Sequence, residues 1–238
     1  MTALASSGLR ARMESLDLLA NNIANSTTGG YKADREFYSL YVAPEAGNSD
    51  SPAAMPVIQR EWTDFGQGEI RSTGNPLDVA LDGRGFLAAT GPGGLLYTRN
   101  GNLRLAADGT LTTQEGYPVR NAQGGTLTLD GARAVHIASD GTVTQDGAVI
   151  GQLQLADFTS SAGLTKQGAN YFRVADPSQR VSPTSTSVVQ GRLEGSNAGS
   201  AEGAVRLVSV MRQFEMLQKA VTLGADMGKR AIEEVAKV

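Results

Sequence analysis

The side chains able to do chemistry are few, and their spacing assembles no known centre. His136 is the single histidine, set between Val135 and Ile137 on an alternating apolar run. No second base falls into a triad pattern with it, and no G-x-S-x-G elbow occurs. Gly66-Gln67-Gly68 does not continue as G-x-G-x-x-G, and no G-x-x-x-x-G-K-[ST] loop is present. A calcium loop needs D-x-[DN]-x-[DN]-G, and the segments around Asp130, Asp140 and Asp146 lack its first acidic positions. Those aspartates are expected to form turns. Paired carboxylates for glycoside hydrolysis remain conceivable, yet nothing singles out two of the 24 acidic residues. With no cysteine, disulfides, thiolate metal sites and cysteine nucleophiles are excluded. The expectation is a protein that is not an enzyme and uses neither metal nor cofactor.

The informative pattern is apolar. One stripe runs through Leu9, Met13, Leu16, Ala20 and Ile23. A second runs through Leu207, Val210, Phe214, Leu217, Val221, Gly224, Gly228, Ala231 and Val235. Both alternate steps of three and four, which keeps side chains on one helix face. Neither end buries such a stripe alone, so the ends are expected to pair with each other, with other copies, or both. Asn21, Asn22 and Asn25 sit beside the first stripe, and asparagine is about 0.6 kcal/mol poorer than alanine in a helix. Two readings of them stand: amides paired across an interface to fix register, or a helix ending near residue 21. Gly224 and Gly228 likewise mean either close helix approach or fraying.

Composition agrees with a structural role. Glycine supplies 29 of 238 residues, well above the usual ~7%, with no collagen period. A net charge of −3 gives no bulk basic patch for nucleic acid. Arg10, Arg12, Glu14 and Asp17 interrupt the N-terminal apolar runs, so no cleavable signal is expected there, and no run suits membrane insertion.

The expected class is α+β: long N- and C-terminal helices pairing as a coiled coil, with an inserted all-β sandwich or irregular barrel and extended connectors. Residues 1–30 read as the N-terminal helix, 31–73 as connector, 74–176 as the β domain, 177–199 as connector, and 200–238 as the C-terminal helix. Pro44 to Pro56 reads as an exposed loop. In the β domain, Asp-Gly or Asn-Gly recurs at residues 82, 100, 108, 130, 140 and 146. These dipeptides favour hairpin turns with positive φ, and the runs between them alternate.

Several segments then carry a family resemblance. LDLLANNIANSTTGGYK (Leu16–Lys32) resembles the N-terminal signature of the bacterial flagellar axial proteins, the rod, hook and hook-associated subunits. GNPLDVALDGRGFLA (Gly74–Ala88) and YTRNGNLRLAADGTLTTQEGYPV (Tyr97–Val119) resemble the central domain of rod and hook proteins. GRLEGSN (Gly191–Asn197) and MRQFEMLQKAV (Met211–Val221) resemble the segment before the last helix and the helix itself. The resemblance implies a non-enzymatic basal-body rod subunit, carried unfolded through the flagellar type III export channel. It implies helical polymerisation through the terminal helices, which transmits motor torque and lines the channel, with the β domain outside. Leu9, Met13, Leu16, Ala20, Asn21, Asn22, Ile23, Asn25, Leu207, Val210, Phe214, Leu217 and Val221 become expected interface positions. Gly74, Asn75, Pro76, Leu77, Asp78, Gly191, Glu194, Ser196 and Asn197 become motif positions. Partners implied are other copies and neighbouring rod subunits, the export apparatus in transit, and nearby peptidoglycan, in the periplasmic part of the basal body. The short Pro/Ala-rich join between Tyr41 and Trp62 and the stretch Ile137–Phe158 look most like the proximal-rod F-type. The alternatives are a distal-rod G-type or hook-like subunit, or a glycan-binding β module using Trp62, Tyr97 and Tyr117. Ala198 departs from the family, which often has a branched residue there, and Gly203 weakens the last helix further.

Overall fold

A computed structural model describes residues 2–42, 54–168, 170–181, 183 and 185–235. The chain forms two compact units. The first takes Met1–Ala24, Asp34–Asp64 and Gly199–Val238; the second takes Asn25–Ala33 and Phe65–Ala198.

The first unit holds helix α1 (Thr2–Ala24), strands β1 (Asp34–Val42) and β2 (Ala54–Thr63), and helix α2 (Ser200–Val235). β1 and β2 form an antiparallel ribbon, with Asp34 opposite Thr63 and Val42 opposite Ala54. Of the expected Pro44–Pro56 loop, residues 44–53 lie outside the described residues, and the rest belongs to β2. α1 stops at Ala24, where Asn25 turns the chain: its carbonyl accepts the Thr28 N–H at 3.1 Å and its side chain the Thr28 hydroxyl at 3.2 Å. α2 runs unbroken through Gly224 and Gly228, and open space surrounds both glycines.

The expected coiled coil of two long helices is not what forms. α1 has 23 residues against 36 in α2. From Gly8 onward its buried positions are Ala11, Ser15 and Leu19, a strict step of four rather than the alternation of a coiled-coil seam. Met13 and Ala20, both on the expected stripe, are exposed. The physical reason is that α1 has two neighbours. Ile23 faces Gly203 and Gly8 faces Leu217 on α2, while another part of its surface packs on β2. Two neighbours bury a broader, shifted face than one narrow seam. Ser15 is tolerated there because its hydroxyl donates to Glu36 Oε1 at 2.9 Å, which also accepts Arg206 Nη2 at 2.6 Å. The α+β mixture itself stands.

The second unit carries β3 (Ile70–Ser72), β4 (Val79–Asp82), β5 (Phe86–Gly91), β6 (Gly94–Thr98), β7 (Leu103–Leu105), β8 (Leu111–Thr113) and β9 (Val135–Ile137). It continues with β10 (Thr142–Gln145), β11 (Ala148–Gln152), β12 (Leu155–Phe158), β13 (Leu164–Gln167), β14 (Tyr171–Val174), β15 (Arg180–Val181), β16 (Ser187–Gln190) and β17 (Arg192–Glu194). Among the described residues these make a six-stranded sheet in the order β13-β14-β6-β5-β12-β15, a three-stranded sheet β11-β10-β9, and the pairs β16–β4, β17–β3 and β7–β8. The six-stranded sheet is covered on both faces, because successive side chains of a strand point to opposite sides. Phe86 and Ala88 of β5 join an aromatic core with Tyr97, Phe158 and Phe172. Leu87 between them joins an aliphatic core with Val79, Leu81, Leu111 and Leu153.

The turns divide by chemistry. Asp146-Gly147 alone puts both central residues at positive φ, 49° and 79°, and joins β10 to β11 as a two-residue hairpin. At Asp108-Gly109 and Asp140-Gly141 only the glycine is left-handed. There the carboxylate instead accepts the N–H of Thr110 or Thr142 two residues on. Those bonds hold both carboxyls below the ordinary aspartate range.

Leu111 is fully buried and Val149 is 69% exposed. Leu111→Ala is therefore expected to lower stability by about 2–5 kcal/mol, and Val149→Ala to change it by less than ~0.5 kcal/mol. Urea unfolding followed by near-UV circular dichroism checks both; equal effects would contradict this core assignment.

Candidate functional site

The recognisable sequence segments meet in the second unit around one carboxylate. The segment Asn25–Ala33 reaches Arg99 and Asn100 through Gly30, at φ 66°. A Cβ there would lie 2.3 Å from the Asn100 nitrogen, so only glycine permits the approach. Tyr31 and Lys32 follow, both fully buried. Lys32 Nζ donates to Glu194 Oε1 at 2.6 Å and to the Gly66 carbonyl at 2.7 Å. Glu194 Oε1 also accepts the Gly68 N–H at 2.9 Å, and Oε2 accepts Arg99 Nη1 at 3.3 Å. The Glu194 carbonyl accepts the Gly30 N–H at 2.8 Å. Gly68 must also be glycine, since its Cβ would meet the Gly195 carbonyl oxygen at 2.2 Å.

The electrostatics follow from burial. Taking a charge out of water costs several kcal/mol, recovered only when every polar atom finds a partner. Both Glu194 oxygens have charged donors. Arg99 Nη1 also donates to the Leu81 carbonyl at 3.0 Å and Nη2 to the Gly83 carbonyl at 2.5 Å, while its buried Nε has no partner among the described residues; the guanidinium stands 5.7 Å from the Phe86 ring centre. Burial pulls the Arg99 pKa below its ordinary value, while Glu194, Asp157 and Asp82 act in the opposite sense. Lys166 closes the outer side: its ammonium donates to the Lys32 carbonyl at 2.8 Å and stands 4.2 Å from the Tyr31 ring centre.

The motif positions fall into two groups within this unit. Gly74 at φ 73° donates to the Gly191 carbonyl at 3.2 Å, and Gly191 N–H donates to the Asp78 carbonyl at 2.8 Å. Asn75 Nδ2 donates to Asp78 Oδ1 at 3.0 Å, its Oδ1 accepts the Leu77 N–H at 3.3 Å, and the Pro76 carbonyl accepts Gln190 Nε2 at 2.8 Å. The second group gathers at Glu194. The Ser196 hydroxyl accepts the Ala198 N–H at 3.0 Å. Asn197 bonds Ala33 and Gly66 through its amide.

The helix positions belong to the first unit. Leu9, Leu16, Ile23, Leu207, Phe214, Leu217 and Val221 are half-buried and Val210 is buried; Met13, Ala20 and Asn21 are exposed. Asn22 Nδ2 donates to the Asp34 carbonyl at 2.7 Å, and its Oδ1 accepts the Asp34 N–H at 3.0 Å. His136 is exposed on β9 opposite Thr144. Within the second unit Tyr97 is buried against Phe158 and Tyr117 packs on Tyr171; Trp62 belongs to the first unit, where it is exposed. Lys32, Arg99, Gly66 and Gly68 were not among the expected site positions. Their signal was a lysine and an arginine inside glycine-rich, recognisable segments.

The chain's relatives bear on this arrangement. The model described as the flagellar hook protein FlgE/F/G D1 domain matches residues 80–145, and the flagellar basal body rod FlgEFG protein C-terminal model matches residues 189–234. Identity is 33% to the flagellar basal-body rod protein FlgG of Agrobacterium fabrum, covering 94% of this chain and 95% of that protein. It is 30% to the flagellar basal-body rod protein FlgF of Caulobacter vibrioides, covering 94% and 92%. The flagellar hook protein FlgE of Brucella abortus is 39% identical over 47% of this chain but 28% of its own length. F-type and G-type relatives thus cover the same share of the chain at similar identity, which does not separate the two subtypes.

Glu194→Gln would leave Lys32 and Arg99 buried without their anion. The expected loss is about 3–5 kcal/mol, read by urea unfolding; a loss below ~1 kcal/mol would contradict the carboxylate's central place.

Proposed function

This chain belongs to the flagellar basal-body rod protein family, and from that premise we propose that it polymerises helically through its terminal helices. It is a structural rod subunit. In this reading it is not an enzyme, and it works by holding neighbours and transmitting motor torque along the axis. Its partners are other copies and neighbouring rod and hook subunits. It reaches them through the flagellar type III export apparatus, and the rod passes the peptidoglycan in the periplasm. Within the family, the F-type reading rests on the stretch Ile137–Phe158 and the short join before Trp62.

The observation that carries the reading is the apolar face of α2. Val205, Val208, Met211, Met216, Leu223 and Met227 are all exposed, although a soluble surface helix ordinarily turns such residues inward. A shallow groove runs past Ala204, Val208 and Met216. Burying one large apolar side chain contributes about 1.5–3 kcal/mol. A repeated contact of a few such residues therefore suffices to hold a polymer.

Replacing Met216 and Leu223 together by glutamate tests this. The altered chain is expected to be exported and to keep its melting behaviour within ~0.5 kcal/mol, as surface changes do. Rods are expected to fail and swimming to stop. Normal swimming with the double replacement would overturn the reading.

A further inference from the structure

The chain passes between its two units four times, at residues 24/25, 33/34, 64/65 and 198/199. Three of these passages leave the β body beside one side chain. Asn197 lies two residues before the last passage. Its Oδ1 accepts the N–H of Ala33, the final residue before the second passage, at 2.7 Å. Its Nδ2 donates at 3.0 Å to the carbonyl of Gly66, the second residue after the third passage. Its own N–H donates to the Tyr31 carbonyl at 3.3 Å. We infer that Asn197 is a positioning residue that gathers three chain passages at one point of the β body and holds them there under load. The inference rests on the rod reading given above.

The chemistry fits asparagine specifically. Gathering two backbone groups of opposite polarity needs one acceptor and one donor on a short, planar, neutral group. Aspartate supplies the acceptor and lacks the donor, and alanine lacks both. The Gly66 carbonyl is shared with Lys32 Nζ at 2.7 Å, so the amide is tied directly to the buried Lys32–Glu194 pair. The same passage is held from the other unit by the same chemistry. There the Asn22 amide accepts the N–H and binds the carbonyl of Asp34, the residue after Ala33. Two consecutive backbone N–H groups, of Ala33 and Asp34, are thus each accepted by an asparagine amide from their own unit. Tension that separated the passages one at a time would peel short pairs such as β17 on β3, three residues long. Held together, the passages share it.

The test uses the full chain in a strain lacking its own copy of the gene, with the unaltered chain and the Asn197→Ala and Asn197→Asp variants. Hydrogen exchange on the purified proteins reads the clamp directly. In Asn197→Ala the Ala33 amide is expected to exchange about tenfold faster, the change for losing about 1.4 kcal/mol of local protection. The amides of Leu111 and Val119, bonded within the core, are expected to keep their rates. Asn197→Asp keeps the acceptor and is expected to preserve protection at Ala33. In cells, Asn197→Ala is expected to swim as the unaltered chain does in dilute medium and to lose at least about half its relative speed in viscous medium. A merely structural defect would lower both alike. Unchanged exchange at Ala33, faster exchange throughout the core, or equal swimming under load would overturn the inference. If the unaltered chain itself fails to restore swimming, the rod reading fails instead.

Discussion

A buried carboxylate needs donors, and Glu194 recruits them from across the sequence. Lys32 lies 162 residues away and Arg99 lies 95 away, yet both reach its two oxygens. Placing a negative charge where water is absent is tolerable only with such ligation. That constraint fixes the neighbouring backbone. Gly30 must hug Asn100, Gly68 must pass against Gly195, and β17, which carries the carboxylate at its end, pairs with β3. The six-stranded sheet and the aliphatic core hold the body together by ordinary burial. What the charged cluster adds is a single geometry, within the body, for the segments around Lys32, Gly66 and Glu194.

The two ends of the chain obey a different logic. α1 buries a face against two neighbours, and Ser15 can stand in that face because Glu36 accepts its hydroxyl. α2 leaves much of its apolar surface uncovered. A subunit that must add to a growing polymer cannot bury everything within itself, so unpaired apolar surface on a long helix is the expected cost of assembly. In the proposed assembly the body and the ends divide the work: one is held internally by a polar cluster, the other would be completed by neighbours.

Much of this was legible in the sequence, where local chemistry decides local structure. The Asp146-Gly147 turn, the alternating strands beside it and the helical register of Leu207, Val210, Phe214, Leu217 and Val221 all follow from spacing alone. The first stripe misled. Read as one half of a coiled coil, its alternation of three and four leaves no room for the β1–β2 ribbon that also packs on α1. Asn22 was legible as a residue with a reason to be there, but its partner, the Asp34 backbone, belongs to a ribbon that no periodicity announces. The Lys32–Glu194 pairing was out of reach for a different reason. No spacing rule connects residues so far apart, and only folding shows that a lysine and a glutamate in two separate motifs share one buried site.

The central claim is that Lys32 and Glu194 act as one unit, and a double-mutant cycle on the full chain tests it most directly. Unfolding free energies would be measured for Lys32→Met, for Glu194→Gln and for the two together. Coupled partners are expected to show an interaction energy of about 2–3 kcal/mol, the pair of changes costing less than the sum of the two alone. Effects that add within ~0.5 kcal/mol would mean that the two residues contribute independently, and would contradict the account.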